Sequence, residues 1–141
     1  MELSGRTLTL YIDGTSKGNP GASSFGILLY DEQGKLYKKS ASYLGILTNN
    51  AAEYFALVFG LVEGLLAGAE VLHIYSDSLL LVKQFKGEYK IRDDHLRRLA
   101  QLIETLRKGF ARIEIHHITR NQNKEADKLA NSVFKTTDRL F

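Results

Sequence analysis

The sequence predicts an α/β fold: a five-stranded mixed sheet, with three antiparallel strands followed by two parallel ones, and helices on both faces. Three observations support this fold class. Residues 7–43 hold three strand-like runs separated by turn-forming residues, which is typical of an antiparallel meander. Two later apolar runs each follow a helical pattern, and strands joined by helical crossovers run parallel. The predicted order of elements is therefore β-β-β-α-β-α-α-β-α.

The three N-terminal strands are predicted from alternation and turns. In residues 7–12 apolar and polar side chains alternate, as in a half-buried strand, and Asp13 stands at its end. Residues 14–21 contain three glycines, an asparagine and a proline, so we expect an irregular loop that lets a large ligand approach the backbone. Asp-Gly and Asn-Pro-Gly are also common in simple turns, and the loop lacks the Gly-Lys-Ser/Thr ending of a P-loop. Residues 23–30 and 36–43 supply the next two strands.

Helical periodicity and capping residues place the later elements. The polar residues 48–50 precede a helix at residues 51–67, and a strand at residues 71–76 ends at Asp77. The stripe of this helix that is predicted to pack on the sheet contains Ala52, Phe55, Ala56, Phe59, Val62 and Leu66. A short helix is predicted at residues 79–85, a strand at residues 113–118 and a last helix from Lys124 to about Phe134. Between the short helix and this strand, Asp93 or Asp94 can cap another helix. Its predicted inward residues are Leu96, Leu99, Leu102, Ile103 and Leu106.

The composition predicts one domain, residues 1–141, with a core over about residues 7–134. Cysteine is absent, which excludes disulfides, thiolate zinc sites and cysteine nucleophiles. No leader pattern and no run near the roughly 18 apolar residues of a membrane span occurs, so we expect a cytoplasmic protein without a membrane partner. Residues 136–141 have no clear pattern and are expected either to fray or to pack through Leu140 and Phe141.

Basic residues concentrate in one part of the chain. Residues 83–112 contain nine Lys or Arg and four Asp or Glu, whereas the whole chain carries a net charge of only +3. A basic face beside a more acidic body favours a polyanionic partner such as nucleic acid. Ordinary solvated helices also carry Lys and Arg, so the charge by itself leaves both interpretations open.

Four carboxylates fall at the ends of predicted elements that can meet. Asp13 and Asp77 each end a strand, and parallel neighbouring strands bring both to one edge of the sheet. Glu53 and Asp127 lie in the first turns of two helices. Each acid also has an ordinary explanation: Glu53 can complete a capping box with Asn50. Asp77 can cap a helix, and Asp127 can match a helix dipole.

A joint acidic site of this kind requires cations. Gathered carboxylates repel one another unless positive ions lie between them. Oxygen ligands without cysteine or a required histidine favour Mg²⁺ or Mn²⁺ over zinc. Four acids suit two ions roughly 3.5–4 Å apart, which activate a water and stabilise the leaving oxygen of a phosphodiester. The sequence therefore predicts phosphodiester hydrolysis.

Four motifs carry a resemblance to a known family. They are YIDGTSKGNPG at residues 11–21, TNNAAEYFAL at residues 48–57, YSDSLLLVKQ at residues 75–84 and RNQNKEADKLAN at residues 120–131. In their order and spacing they resemble ribonuclease HI, the type 1 ribonuclease H family, over nearly the whole chain. The resemblance implies an endonuclease that cuts the RNA strand of RNA/DNA hybrids and leaves 5′-phosphate and 3′-hydroxyl ends.

The resemblance also assigns residues to roles. The ligands of two Mg²⁺ or Mn²⁺ ions fall on Asp13, Glu53, Asp77 and Asp127. The substrate contacts fall on Gly14, Asn19, Thr48, Asn49 and Asn50. Short amides and hydroxyls suit the recognition of 2′-hydroxyls, which distinguish RNA from DNA in the minor groove.

One departure from the family pattern concerns the loop before the last helix. Many relatives place a mobile histidine there, whereas this chain has Arg120, which is expected to replace it. His117 is the other candidate. A histidine in a strand is more often packed or on the surface than catalytic, and we interpret His73, His95 and His116 in the same way.

The other departures concern nucleic-acid binding. Asp93 stands where the family has a phosphate-binding asparagine, so Lys90 or Arg92 is expected to bind that phosphate instead. Residues 85–96 are too few to hold the basic protrusion of some relatives. Affinity for the hybrid is therefore expected to depend on the basic residues 83–112 and to fall steeply with salt.

Two other functions compete with a monomeric ribonuclease H. The first is a nucleic-acid-binding module that keeps the fold without catalysis, and the presence of all four acids argues against it. The second is a related nuclease or polynucleotidyl transferase that acts on DNA, and the Gly/Asn loop and the Thr-Asn-Asn sequence argue against that alternative.

Overall fold

A computed structural model of the chain describes the backbone of residues 5–140 and the side chains of residues 5–135. Its five strands are β1 (Arg6–Gly18), β2 (Gly21–Tyr30), β3 (Leu36–Leu47), β4 (Ala69–Ser76) and β5 (Arg112–His117). They form a sheet of order β3-β2-β1-β4-β5, in which β1, β2 and β3 pair antiparallel while β4 and β5 run parallel to β1. The predicted fold class and element order are confirmed.

The helices cover both faces of this sheet. They are α1 (Asn49–Leu66), α2 (Leu79–Phe85), α3 (Asp94–Arg107) and α4 (Lys124–Leu140), and a short 3₁₀ turn at Arg120–Asn123 leads into α4. Residues 86–93 join α2 to α3 without another helix, which confirms that the protrusion is missing. No helix in the described part of the chain is both long and apolar enough to cross a membrane.

Strand register decides which residues face which helix. Asp13 lies opposite Gly26 in the pairing of β1 with β2, so the two share one face of the sheet. Gly26 contacts α4, because a Cβ built there would lie 2.6 Å from the Ala130 nitrogen. Gly14 lies opposite Phe25 on the other face, and a Cβ on Gly14 would lie 2.3 Å from the Ala52 carbonyl of α1. The helices α1 and α4 therefore pack against opposite faces.

The predicted inward stripe of α1 is partly wrong. Phe59 is 40% exposed and Leu66 is 76% exposed. The helix instead buries Leu57, Gly60, Leu61 and Gly64 among other residues, a face with helical spacing. The apolar residues of α1 extend around most of its circumference, so periodicity did not identify one face. Gly60 on the buried face lets the helix approach β1 closely, because a Cβ built there would lie 2.6 Å from Leu10 Cδ2.

A similar error affects α3. Leu102 was expected inside but is 44% exposed, whereas Leu96 and Ile103 are buried. The helix packs mainly on α1 rather than on the sheet, so its buried face is narrow.

Regular structure also extends further than predicted at three places. The expected loop at residues 14–18 continues β1, because its backbone groups pair with β2 as far as Gly18 opposite Gly21. Likewise β3 continues to Leu47, paired with Gly21. The helix α4 runs to Leu140 rather than Phe134. The expectation about the side chains of residues 136–141 lies outside the described residues.

We expect Gly26→Ala to lower the free energy of unfolding by about 1–3 kcal/mol, because the added methyl group must push α4 away from β2. Urea denaturation would measure the loss. Ser42→Ala, on an exposed position of β3 beside Phe25, is the control and should change stability little. Equal stability of Gly26→Ala and the control would contradict the close packing of α4.

Candidate active site

The pairing of β1 with β4 ends where the acids begin. The last parallel pair is Ile12 with Ser76, so Asp13 and Asp77 each occupy the next position along neighbouring strands. Asp13 does not end β1 as predicted, because β1 continues its pairing with β2. Only the pairing of β1 with β4 ends just before Asp13. One carboxylate oxygen from each of Asp13, Glu53 and Asp77 lies within 4.8 Å of the others.

Glu53 reaches this group from the second turn of α1. The helix is capped by Thr48, whose Oγ1 accepts a hydrogen bond from the Ala51 N–H at 3.1 Å. Glu53 is therefore not in the first turn. Its Oε1 accepts a hydrogen bond from the Gly14 N–H at 2.9 Å, which joins α1 directly to β1.

Asp127 lies in the first turn of α4, as predicted. Its Oδ1 accepts a hydrogen bond at 3.2 Å from Nδ2 of Asn131, which also donates to the Asp127 carbonyl at 2.9 Å. Asp127 lines the same cavity as Asp13, Glu53 and Asp77. The structure thus brings together all four predicted acids.

The sequence assigned no role to Asn123, although the structure places it in contact with one of the acids. Asn123 is 1% exposed, and its Nδ2 donates to the Ile12 carbonyl at 2.8 Å and to Asp77 Oδ2 at 3.2 Å. This side chain therefore ties the loop before α4 to both neighbouring strands. Its only signal in the sequence is its place in the motif RNQNKEADKLAN, beside Asp127.

Two of the acids, Asp13 and Glu53, are held in surroundings that disfavour their charged forms. Burial raises the pKa of the Asp13 carboxyl to about 9, with repulsion from Glu53, Asp77 and Asp127 adding to the effect. Burial likewise raises the pKa of Glu53 to about 8, against the lowering influence of the Gly14 N–H and of the Arg120 charge. Asp13 Oδ2 is buried and has no hydrogen-bond partner among the side chains and backbone that the structure describes.

These observations fit a hard divalent cation. A buried oxygen that lacks a donor is costly unless an ion or a proton meets it. The ligand atoms present are carboxylate oxygens, which Mg²⁺ and Mn²⁺ prefer. Asp13, Glu53 and Asp77 are close enough to share one ion, and Asp127 lies at the same cavity.

The cavity around the acids has a volume of about 440 Å³ and also contains predicted substrate residues. Gly14, Asn49, Asn50 and Arg120 line it. His117 does not, and lies exposed at the end of β5. Of the two candidates for the missing histidine, only Arg120 therefore faces the acids.

The other predicted substrate residues lie beside the cavity. Asn19 accepts a hydrogen bond from the Asn49 N–H at 3.0 Å through its Oδ1. Lys90 and Arg92 line a second groove of about 530 Å³ that also includes Asn50.

Asp93 has a structural task at the edge of that groove. Its Oδ1 accepts the Leu96 N–H at 3.0 Å and caps α3. The negative charge of Asp93 thus lies at the N-terminus of α3, where the helix dipole is positive.

Comparison with known proteins agrees with the fold. The sheet order and the four acids at its edge define a ribonuclease H-like protein. Residues 11–133 match the family described as reverse transcriptase-like. Ribonuclease HI of Halobacterium salinarum is 36% identical over 121 residues, which cover 86% of this chain and 61% of that protein. The chain thus spans less than two-thirds of the length of this relative.

Two solved ribonuclease H structures are similar to this chain over most of their length. The crystal structure of RNase H1 from Halobacterium salinarum is 34% identical, covers 92% of this chain and 98% of that one, and has a TM-score of 0.88. LC11-RNase H1, solved in complex with an RNA/DNA hybrid, is 30% identical with the same coverage and a TM-score of 0.87. The chain belongs to the ribonuclease HI family.

We expect Asp13→Asn to stabilise the metal-free protein at about pH 8 by at least about 1 kcal/mol. The Asp13 carboxyl ionises above about pH 4 in the unfolded chain but only near pH 9 in the folded one. Burial of this carboxyl therefore opposes folding increasingly as the pH rises between these values. The advantage of Asp13→Asn should disappear at about pH 4.

Urea denaturation in chelator at both pH values would measure this effect, with Asp31→Asn in the β2–β3 turn as the control. Added Mg²⁺ should stabilise the unaltered protein more than Asp13→Asn. A lower stability of Asp13→Asn at about pH 8 would contradict the assigned repulsion.

Proposed function

We propose that the chain is an endonuclease that hydrolyses the RNA strand of RNA/DNA hybrids with two Mg²⁺ or Mn²⁺ ions and leaves 5′-phosphate and 3′-hydroxyl ends. The observation that carries the proposal is the convergence of Asp13, Glu53, Asp77 and Asp127 on one open cavity, with Asp13 Oδ2 lacking a partner. The hybrid bound by a relative of 30% identity supports the substrate class.

The proposed ligand set uses all four acids. Asp13 and Asp77 would anchor or bridge the ions, Glu53 would hold one of them near the 2′-hydroxyl, and Asp127 would complete the second ion site. Bound ions of this kind activate a water and neutralise charge on the leaving oxygen. Oxygen ligands with raised pKa values release their protons more readily when a cation approaches, so metal binding and deprotonation are coupled.

Neutral donors keep these acids in position. The Gly14 N–H holds Glu53, the Asn123 amide holds Asp77 and the Asn131 amide holds Asp127. Amide donors orient a carboxylate without neutralising its charge. A lysine or arginine side chain would neutralise that charge. The amide donors therefore leave the carboxylate oxygens available to cations once the acids are deprotonated.

Recognition of the RNA strand is assigned to the start of α1. Asn49 and Asn50 line the cavity, where their amides can donate to and accept from a 2′-hydroxyl. Asn19 and Thr48 hold this end of the helix through the Asn49 and Ala51 N–H groups. Gly14 leaves the cavity wall without a side chain.

The DNA strand is assigned to the neighbouring groove. Lys90 and Arg92 line it and supply positive charge for a phosphate, while Asn50 belongs to both the groove and the acidic cavity. Because Asp93 caps α3, its charge is directed to the Leu96 N–H. Phosphate contacts of this type should make binding weaken as the salt concentration rises.

We also propose that residues 1–141 act as one monomeric domain in the cytoplasm. The single core around the five-stranded sheet supports the domain assignment. Light scattering coupled to size-exclusion chromatography tests the monomer, and a concentration-independent dimer mass would exclude it.

We expect Asp77→Asn to reduce cleavage of the hybrid by more than about 100-fold, because even changes outside the ligand shell of a metal site cost roughly 10–100-fold. The measurement is cleavage of end-labelled RNA/DNA, RNA/RNA and DNA/DNA duplexes in Mg²⁺, Mn²⁺ and chelator. The unaltered protein should cut only the hybrid's RNA strand, and only with metal.

Asp31→Asn is the matched control and should cleave normally. Near-normal activity of Asp77→Asn would contradict the acidic site. Metal-independent binding of the hybrid without product would instead support the non-catalytic binding module, and preferential cleavage of DNA would support the related DNA nuclease.

Arg120→Ala should lower kcat by about tenfold or more, because it removes a positive charge that lines the acidic cavity and acts on Glu53. Arg120→Lys should recover part of the loss. Single-turnover cleavage at saturating hybrid would measure both. His117→Ala serves as the comparison. A larger loss of kcat in His117→Ala than in Arg120→Ala would indicate that His117, not Arg120, replaces the loop histidine.

A further inference from the structure

A second group of potential metal ligands lies on β4 and β5, apart from the acidic cavity. It consists of His73, Glu114 and His116. His73 lies opposite Glu114 in the parallel pairing of the two strands. Because side chains alternate along a strand, Glu114 and His116 project from the same face. The strand register therefore places two imidazoles and one carboxylate side by side.

The three ligand atoms are arranged closely enough for one ion. His73 Nδ1 lies 3.4 Å from His116 Nε2 and 3.7 Å from Glu114 Oε1. His116 Nε2 lies 4.0 Å from the same oxygen. Ligands about 2.0–2.1 Å from a tetrahedral Zn²⁺ are about 3.3 Å apart. The pair of nitrogens already has this spacing, and the carboxylate oxygen needs to move by only about half an ångström.

The surroundings hold these side chains in place. The His116 ring stacks on Tyr75 with centroids 4.9 Å apart, and Tyr75 stacks on Tyr11 at 5.0 Å. Arg112 Nε lies 3.0 Å from Glu114 Oε2, which leaves Oε1 for the histidines. The stacking restricts the His116 ring, and the contact with Arg112 orients the Glu114 carboxylate.

Solvent can reach the cluster. The side chains of His73, His116 and Glu114 are 27%, 39% and 41% exposed. An ion can therefore enter without unfolding, and water can supply a fourth ligand. The two ring nitrogens are within hydrogen-bonding distance at 3.4 Å, and both can bind one ion only when each ring carries its proton on its other nitrogen.

We propose that His73, Glu114 and His116 form a binding site for Zn²⁺ or a similar transition-metal ion. Imidazole nitrogens favour such ions, whereas the carboxylate oxygens of the acidic cavity favour Mg²⁺. The two sites thus differ in the metals that they select. The bound ion links β4 to the edge strand β5 and stabilises the folded chain. This site does not depend on the proposed nuclease activity.

The test is calorimetric titration of the full chain with ZnCl₂ in the presence of a large excess of Mg²⁺. The expected result is one Zn²⁺ per chain, not displaced by Mg²⁺. His73→Gln and His116→Gln should each lower the affinity by roughly tenfold or more, since each removes a ligand. His95→Gln, an exposed histidine on α3, is the matched control and should bind Zn²⁺ as the unaltered protein does.

A second measurement uses the unaltered protein and so does not depend on the folding of a variant. In NMR spectra of the imidazole nitrogens, Zn²⁺ should shift the signals of His73 and His116 but not those of His95. Equal Zn²⁺ affinity of His73→Gln, His116→Gln and the control, or displacement of Zn²⁺ by Mg²⁺, would overturn the proposal. Failure to bind Zn²⁺ at micromolar concentration would also overturn it.

Discussion

The close approach of β1 to α1 at Gly14 is the constraint on which the acidic site depends. The Gly14 N–H holds Glu53 at 2.9 Å, and a side chain at this position would collide with the Ala52 carbonyl. A wider separation would move Glu53 away from Asp13 and Asp77. The packing of α1 on β1 thus sets the distances between the carboxylates. The helix by itself does not determine them.

The protein itself supplies little positive charge to this site. Backbone and asparagine amides hold Glu53, Asp77 and Asp127, and Arg120 is the one positively charged residue among the described side chains that line the cavity. Buried acids of like charge destabilise a folded chain unless cations or protons are taken up. The buried acids therefore lower the stability of the metal-free chain, and raised pKa values of this kind are typical of functional sites.

Local sequence patterns were sufficient for the element order but not for the extent or the buried face of each element. The glycine-rich residues 14–18 suggested a loop, yet their backbone groups complete a ladder with β2, which is a long-range interaction. Phe59 was expected on the buried face of α1 because it is hydrophobic, yet glycines such as Gly60 occupy that face. Asn123 could not be recognised because its two partners, Ile12 and Asp77, are distant in sequence.

The sequence by itself determined the order of strands and helices, the identity of the four acids and the absence of cysteine chemistry. These properties depend on residue type and on short-range spacing. The tertiary structure decided which donors hold each acid, that Arg120 rather than His117 faces the cavity, and that His73 meets Glu114 and His116. These contacts depend on strand register and on helix packing, which join residues that no local pattern connects.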